Sequence, residues 1–282
     1  MILLDGKETS NKLYDNLLRT RGNKDNTLLI ILTVGNDEAS KVYVRNKLKA
    51  CEKVGIASEH IILNDSMGYY EFSDYVEKLI SDKFYDINSP YCSGGIILQL
   101  PAPKLYQKVF NQIVPPIFDV DGFGEKNQLC LLQGKEPENY PATPKGIMTL
   151  LDDYKINIEG KHVVIVGRSE IVGKPLALMM LNRNATVTIC HSKTQHLEDI
   201  TKTADILIAA IGKPKFINAS HIKDGVTIVD VGINRTENGL CGDVDFDDVK
   251  DKCYAITPVP GGVGPMTVYS LIENVLTDER ND

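Results

Sequence analysis

Tyr43 and Lys47 stand four residues apart in YVRNKLKAC, residues 43–51. That spacing puts a phenol and an ammonium on one stripe of a helix. Beside the stripe, Val44, Leu48 and Cys51 form the apolar face. A lysine so placed could hold or move a proton, or polarise a reacting carbon. Farther on, Gln99 lies at the end of the apolar run SGGIILQL (93–100), and DVDG (119–122) puts Asp119 and Asp121 on one side of a turn. Asp121 and Gln99 together could grip the amide-like edge of a small polar ligand. Each residue also has a plainer reading: a solvated lysine, a glutamine capping a strand end, aspartates organising an Asx-turn.

A second group of residues is suited to anions. VVIVGRSEIVGKPLALMML (163–181) reads as strand, tight turn and helix, with Gly167 and Gly173 bracketing the turn. Ser169 stands where the usual G-x-G-x-x-G has its middle glycine, and the last glycine falls one residue late. Small residues there would let backbone N–H groups approach a pyrophosphate at a helix N-terminus. The next strand ends TICHSKT (188–194), with no Asp or Glu to hold a ribose 2′-hydroxyl. Ser192 and Lys193 occupy that corner and Arg168 lies in the first turn. A cationic, donor-rich corner suits a 2′-phosphate, so the pattern favours NADP over NAD.

The elements that must position these residues alternate. Apolar runs at 27–35, 58–63 and 93–100 predict strands, and amphipathic stretches at about 37–54, 69–82 and 104–113 predict helices, with Gly55 a stop for the first. From 115 to 128 the chain reads as turn-rich and irregular. Over about 115–143 the composition shifts, and Pro115, Pro116, Gly134, Pro137, Pro141 and Pro144 predict an interdomain connection that interrupts any regular element. The pattern then restarts: strands at 161–167, 185–191, 204–212 and 225–232, a helix at 171–183, a loop at 257–267 and a closing helix at 266–278. Strand and helix in alternation predict an α/β fold with parallel sheets and helical crossovers.

Composition narrows the classes. The 282 residues are 43% hydrophobic and 24% charged, enough for about two domains with cores of their own. The net charge is −7, and no basic run or stripe points to nucleic acid. No stretch approaches the length of a membrane span, and the first residues do not read as a signal peptide. The six cysteines form no C-x-x-C pair and read as reduced thiols of a cytoplasmic protein. The five histidines lack metal-ligand spacing, so no metal is expected.

With these residues in view, the chain resembles the bifunctional methylenetetrahydrofolate dehydrogenase/methenyltetrahydrofolate cyclohydrolase family, the FolD proteins, over nearly its whole length. The resemblance is carried in order by VGNDEASKVYVRNKLKACEKVGI (34–56), GGIILQLPAP (94–103), DVDGF (119–123), PATPKGI (141–147) and GRSEIVGKPLA (167–177). It continues through ATVTICHSKT (185–194), ADILIAAIGKP (204–214), VDVGIN (229–234), GDVDF (242–246) and TPVPGGVGPMT (257–267).

The resemblance implies NADP-dependent oxidation of 5,10-methylenetetrahydrofolate to the methenyl form, then hydrolysis to 10-formyltetrahydrofolate. It implies a folate-binding catalytic domain of residues 1–140 plus 265–282, to which the C-terminal helix returns. Residues 141–264 would form a Rossmann-like NADP-binding domain. Lys47 matches the catalytic lysine, with Tyr43 and Gln99 beside it, and Asp121 the pterin-holding residue. Leu100, Pro260, Gly261 and Gly262 join the folate side. Gly167, Arg168, Ser169, Ile171, Gly173, Ser192, Gly212 and Ile233 match nucleotide contacts. A homodimer formed through the nucleotide domains is the implied assembly.

The sequence departs from the family pattern at Phe118, commonly Lys, and at Gly124, commonly His. It departs also at NQLC (127–130), which keeps only Asn127, at Ala142, and in the longer segment 83–94. The rival expectations are a dehydrogenase whose hydrolase is weak or lost, a folate- or nucleotide-binding protein without turnover, and an unrelated two-domain dehydrogenase.

Overall fold

A computed structural model describes residues 1–20, 26–35, 37–237 and 239–276. In chain order the elements are β1 (Ile2–Leu3), α1 (Gly6–Thr20), β2 (Thr27–Val34), α2 (Glu38–Val54), β3 (Ala57–Leu63), α3 (Tyr69–Ile80), β4 (Ser93–Leu98), α4 (Lys104–Ile113), α5 (Glu125–Leu132) and α6 (Ala142–Asp153). Then come β5 (His162–Val166), α7 (Gly173–Asn182), β6 (Thr186–Cys190), α8 (Leu197–Thr201), β7 (Ile206–Ala209), β8 (Thr227–Asp230), β9 (Asn234–Thr236), β10 (Gly239–Cys241), α9 (Phe246–Val249), β11 (Ala255–Ile256) and α10 (Val263–Val275). The chain divides into two compact α/β units.

One unit comprises residues 14–142 and 268–282. Its sheet is parallel, in the order β3-β2-β4, with Leu28 opposite both Ala57 and Gly94. β2 is apolar and buried from Thr27 to Thr33, as a strand covered on both faces must be. Leu28, Ile30 and Leu32 pack in one core cluster with Ile96, Phe72, Val76 and Phe110. Burying each such side chain contributes about 1.5–3 kcal/mol. The side chain of Asp37 caps α2 by accepting the Ser40 N–H at 2.7 Å, and Gly55 ends it at a φ of +70°, where a side chain would be strained. The extra length at 83–94 begins as one π-helical turn, Ser81–Tyr85, continuing α3. It brings Phe84 into a stack on Phe118, with ring centroids 4.6 Å apart.

The other unit comprises residues 1–13 and 143–267. Its six strands are all parallel, in the order β1-β11-β8-β7-β5-β6, with the antiparallel hairpin β9-β10 beside them. From β5 the chain passes through α7 to β6 on one side, and then places β7 on the other side of β5. At such a reversal the carboxyl-end loops diverge and leave a crevice. Val164, Val166, Leu207, Ala209, Ile228 and Ile256 belong to one buried cluster of this unit.

Several expectations are corrected. The stretch 115–143 is not a bare connection. It carries α5 and the start of α6, and Phe118, Asp119 and Val120 within it are buried. Pro144 does not interrupt α6, because it is the third helical residue, where backbone N–H groups have no helical partner to lose. For the same reason Pro265 lies inside α10, which starts at Val263 rather than 266 and so takes in part of the expected loop. α10 is helical to Val275, and the expected helical residues 277–278 lie outside the described residues. Residues 1–13 cluster with the 143–267 unit, where β1 pairs with β11. Residues 6–20 carry a helix that periodicity reasoning did not single out.

Candidate active site

In the 14–142 unit, Lys47 lies on the inner side of α2, only 7% exposed. Its Nζ is 3.7 Å from Asp121 Oδ2, an ion pair whose side chains are 9% and 14% exposed. Tyr43, one turn earlier, is 44% exposed. Leu48 is half-buried, so Val44, Lys47 and Cys51 form the buried stripe instead of Val44, Leu48 and Cys51. The helix is turned a little from the expected face, toward the lysine.

Gln99 follows β4 directly and continues its ladder, donating its backbone N–H to Leu32 O at 2.8 Å. Its Nε2 donates to Leu100 O at 3.0 Å, and Ser40 Oγ donates to the same carbonyl at 3.3 Å. Leu100 O thus ties the start of α2 to the end of β4. Gln99 Oε1 is buried and has no hydrogen-bond partner among the described residues. An amide oxygen left so at a strand end is a site waiting for a donor, because burial without one is costly.

Asp119 and Asp121 divide the two readings between them. The segment before the turn runs along β4, with Ile96 N–H donating to Phe118 O and Ile96 bridging to Asp119. Asp119 is the Asx-turn residue: it accepts the N–H groups of Gly122 (3.1 Å), Phe123 (3.2 Å) and Gly124 (2.7 Å), and Asn127 Nδ2 at 2.9 Å. Burial pushes its carboxyl above the usual range, against the pull of the Asn127, Gly124 and Phe123 donors. A Cβ on Gly124 would come 2.8 Å from Asp119 Oδ2, so the glycine found here fits the clamp. Two asparagines support the same turn and escaped notice in the sequence. Asn139 Nδ2 donates to Pro116 O and Ile117 O, and Asn274 Nδ2 to Val120 O and Tyr140 O. Only their burial (2% and 3%) marks them, and single-sequence patterns do not show it.

In the 143–267 unit, every other expected residue follows a strand at the carboxyl edge of the six-stranded sheet. Gly167, Arg168 and Ser169 follow β5, Ser192 follows β6, Gly212 follows β7, Ile233 follows β8, and Pro260, Gly261 and Gly262 follow β11. Gly167 has a φ of +137°, and a Cβ there would fall 2.2 Å from Ala210 O. A Cβ on Gly173 would fall 2.3 Å from Gly167 O. The two glycines let helix and strand pack as a dinucleotide turn requires. One detail differs from expectation. The first amides of α7 are not bare: Val172 and Gly173 N–H donate to Ser169 Oγ at 3.2 and 3.3 Å. Arg168 and Ser169 are both exposed in this turn. Ile171 is half-buried in the same turn, and Ser192 and Lys193 are exposed. No acid lies between Cys190 and Thr194, which fits a phosphorylated ribose.

Buried glycine contacts at a strand-order reversal, with outward cations, define a dinucleotide-binding α/β protein. The comparisons carry this further. The family model described as tetrahydrofolate dehydrogenase/cyclohydrolase, catalytic domain, matches residues 4–121, and that of the NAD(P)-binding domain matches 141–282. A bifunctional protein FolD of Agathobacter rectalis is 50% identical over 281 residues, covering 96% of each chain. A crystal structure of the bifunctional enzyme FolD from Campylobacter jejuni is 41% identical, covers 99% of each chain and superposes with a TM-score of 0.89. A Trypanosoma brucei FolD, solved with NADP and an inhibitor, is 30% identical over 98% of this chain and 96% of that one, with a TM-score of 0.85. The chain belongs to the tetrahydrofolate dehydrogenase/cyclohydrolase family.

Proposed function

We propose that the chain oxidises 5,10-methylenetetrahydrofolate with NADP⁺ and hydrolyses the methenyl product to 10-formyltetrahydrofolate, with Lys47, Tyr43, Gln99 and Asp121 acting on the folate. The observation that carries the residue roles is the nearly buried Lys47–Asp121 pair, in the unit where Gln99 Oε1 lies buried without a donor among the described residues. NADP⁺, when bound, accepts the hydride that leaves the folate methylene carbon. The chain's own part in that step is positioning. Asp121 accepts hydrogen bonds from the pterin, and Gln99 Oε1 and Leu100 line its approach. Tyr43 covers the folate from the exposed end of α2.

In hydrolysis, water adds to the methenyl carbon and loses one proton; the bond from that carbon to N5 then breaks as N5 takes a proton and the new hydroxyl gives up its own, leaving a formyl group on N10. Lys47 is the group placed to polarise that carbon and manage those protons, with Gln99 orienting it. Pro260, Gly261 and Gly262 contribute to the folate side. Gly167, Arg168, Ser169, Ile171, Gly173, Ser192, Gly212 and Ile233 hold the nucleotide, with Arg168 and Ser192 at the 2′-phosphate. Residues 1–140 with 265–282 would carry the folate chemistry, and 141–264 the nucleotide. A homodimer working in the cytoplasm completes the reading. Among the described residues no helix is long and apolar enough to cross a membrane.

The test is Lys47→Met. Hydrolysis of methenyltetrahydrofolate should fall by about 10² or more, with NADP⁺ affinity retained. Unchanged hydrolysis would remove Lys47 from the mechanism.

A further inference from the structure

GDVDF (242–246) has no role in the chemistry above, yet its first aspartate is the most enclosed carboxylate of the 143–267 unit. Asp243 is 0% exposed. Its Oδ2 accepts the N–H groups of Ile211 (2.7 Å) and Gly212 (3.0 Å). Its Oδ1 accepts the N–H of Lys213 (2.8 Å) and Asn234 Nδ2 (2.9 Å). Three successive amides turned onto one carboxylate fix the backbone after β7 as a nest. The fourth bond fixes the residue next to Ile233 to the same group. One side chain therefore sets two loops that hold expected nucleotide contacts, Gly212 and Ile233.

Asp243 is itself held from behind. Its backbone N–H and that of Val244 donate to the two oxygens of Asp230, each at 2.9 Å, and Gly232 N–H donates to Asp230 Oδ1 at 3.0 Å. The backbone is packed onto both acids: a Cβ on Gly232 would fall 2.2 Å from Asp243 Cγ, and one on Gly242 would fall 1.8 Å from Asp230 Oδ2. A fold needing only a loop anchor could use one bond. Here four donors from two loops converge on a single buried charge, which serves to hold those loops in one arrangement.

We propose that Asp243 is a positioning residue for nucleotide binding, setting the 211–213 loop and the Ile233–Asn234 turn as one rigid edge of the NADP site. The inference rests on the nucleotide reading of these carboxyl-end loops. It predicts a split that a general structural role would not produce, because hydrolysis of methenyltetrahydrofolate takes no nucleotide.

The experiment compares the parent, Asp243→Asn and Asn234→Ala in three assays: calorimetric titration with NADP⁺, dehydrogenase kinetics, and hydrolysis of methenyltetrahydrofolate without nucleotide. Asn at 243 turns one acceptor oxygen into a donor facing amides. Its Kd and KM for NADP⁺ should rise about 10-fold or more, with hydrolysis within about 2-fold of the parent. Asn234→Ala removes one bond of the four and should weaken NADP⁺ binding roughly 2- to 5-fold in the same direction. Unchanged NADP⁺ affinity in folded Asp243→Asn overturns the proposal, as does an equal loss of both activities at unchanged affinity. If Asp243→Asn does not fold, unchanged affinity in Asn234→Ala overturns it. A parent that binds no NADP⁺ overturns the nucleotide reading itself, and the parent titration alone reveals that outcome.

Discussion

Lys47 Nζ lies 3.7 Å from Asp121 Oδ2, and the two side chains are 9% and 14% exposed. A pair this enclosed is costly to break, because the survivor is left as an uncompensated charge. Asp121→Asn should therefore lose folate affinity in both reactions, with KM rising about 10-fold or more, and should also lower stability by about 3 kcal/mol. Steady-state kinetics together with denaturant unfolding check both parts. A folded variant with parental KM values would contradict the assignment.

Asp119 acts on Asp121 through the backbone. Its four accepted bonds hold the turn at 122–124. Asp119→Asn should raise KM for the folate about 5- to 10-fold in both activities while leaving NADP⁺ affinity unchanged. An NADP⁺ Kd that moved together with the folate KM would show general unfolding instead of a displaced turn.

Gly173→Ala places a Cβ 2.3 Å from Gly167 O, a backbone atom that cannot swing aside. We expect a loss of about 2 kcal/mol or more in stability and a weakened NADP⁺ site. Calorimetry and thermal unfolding report the two effects. A variant as stable as the parent would mean that the turn is looser than its geometry indicates.

The strands were legible because β2, β4 and β5 are buried on both faces and read as unbroken apolar runs. The glycine turn was legible because the close approach of helix and strand leaves a residue-type signature. The connection at 115–143 misleads because its clustered prolines read as breakers. At the third position of α6 and of α10 a proline removes an N–H that the helix never uses. Burial by distant partners was illegible. Asn139, Asn274 and Asp243 owe their roles to chain segments far away in sequence. Phe118 belongs to the same class. It departs from the family's usual lysine, and the structure stacks it on Phe84, with Tyr85 edge-on at 5.5 Å. Both partners come from the segment that reads as longer than usual, so the two departures form one packed cluster.

Asp230 carries a pH signature. Burial, reinforced by the charge of Asp243, pushes its carboxyl from 3.8 up to about 6, against three backbone donors. The folded chain thus keeps this proton where the unfolded chain has lost it. Its contribution to stability is present at low pH and is lost as pH rises from about 4 to about 6, roughly 3 kcal/mol in all. Asp230→Asn should remove that fall from the stability-against-pH curve. A carbon NMR titration of the Asp230 carboxyl gives the direct check, and a midpoint near 4 would refute it.

The central claim is tested most directly by mixing the purified chain with methylenetetrahydrofolate and NADP⁺ or NAD⁺, following reduced cofactor and methenyltetrahydrofolate separately. The account predicts reduction that prefers NADP⁺, with no build-up of methenyltetrahydrofolate, because one chain carries both steps. Methenyltetrahydrofolate decaying only at its uncatalysed rate would contradict the hydrolase assignment, and no reduction with either nucleotide would contradict the account as a whole.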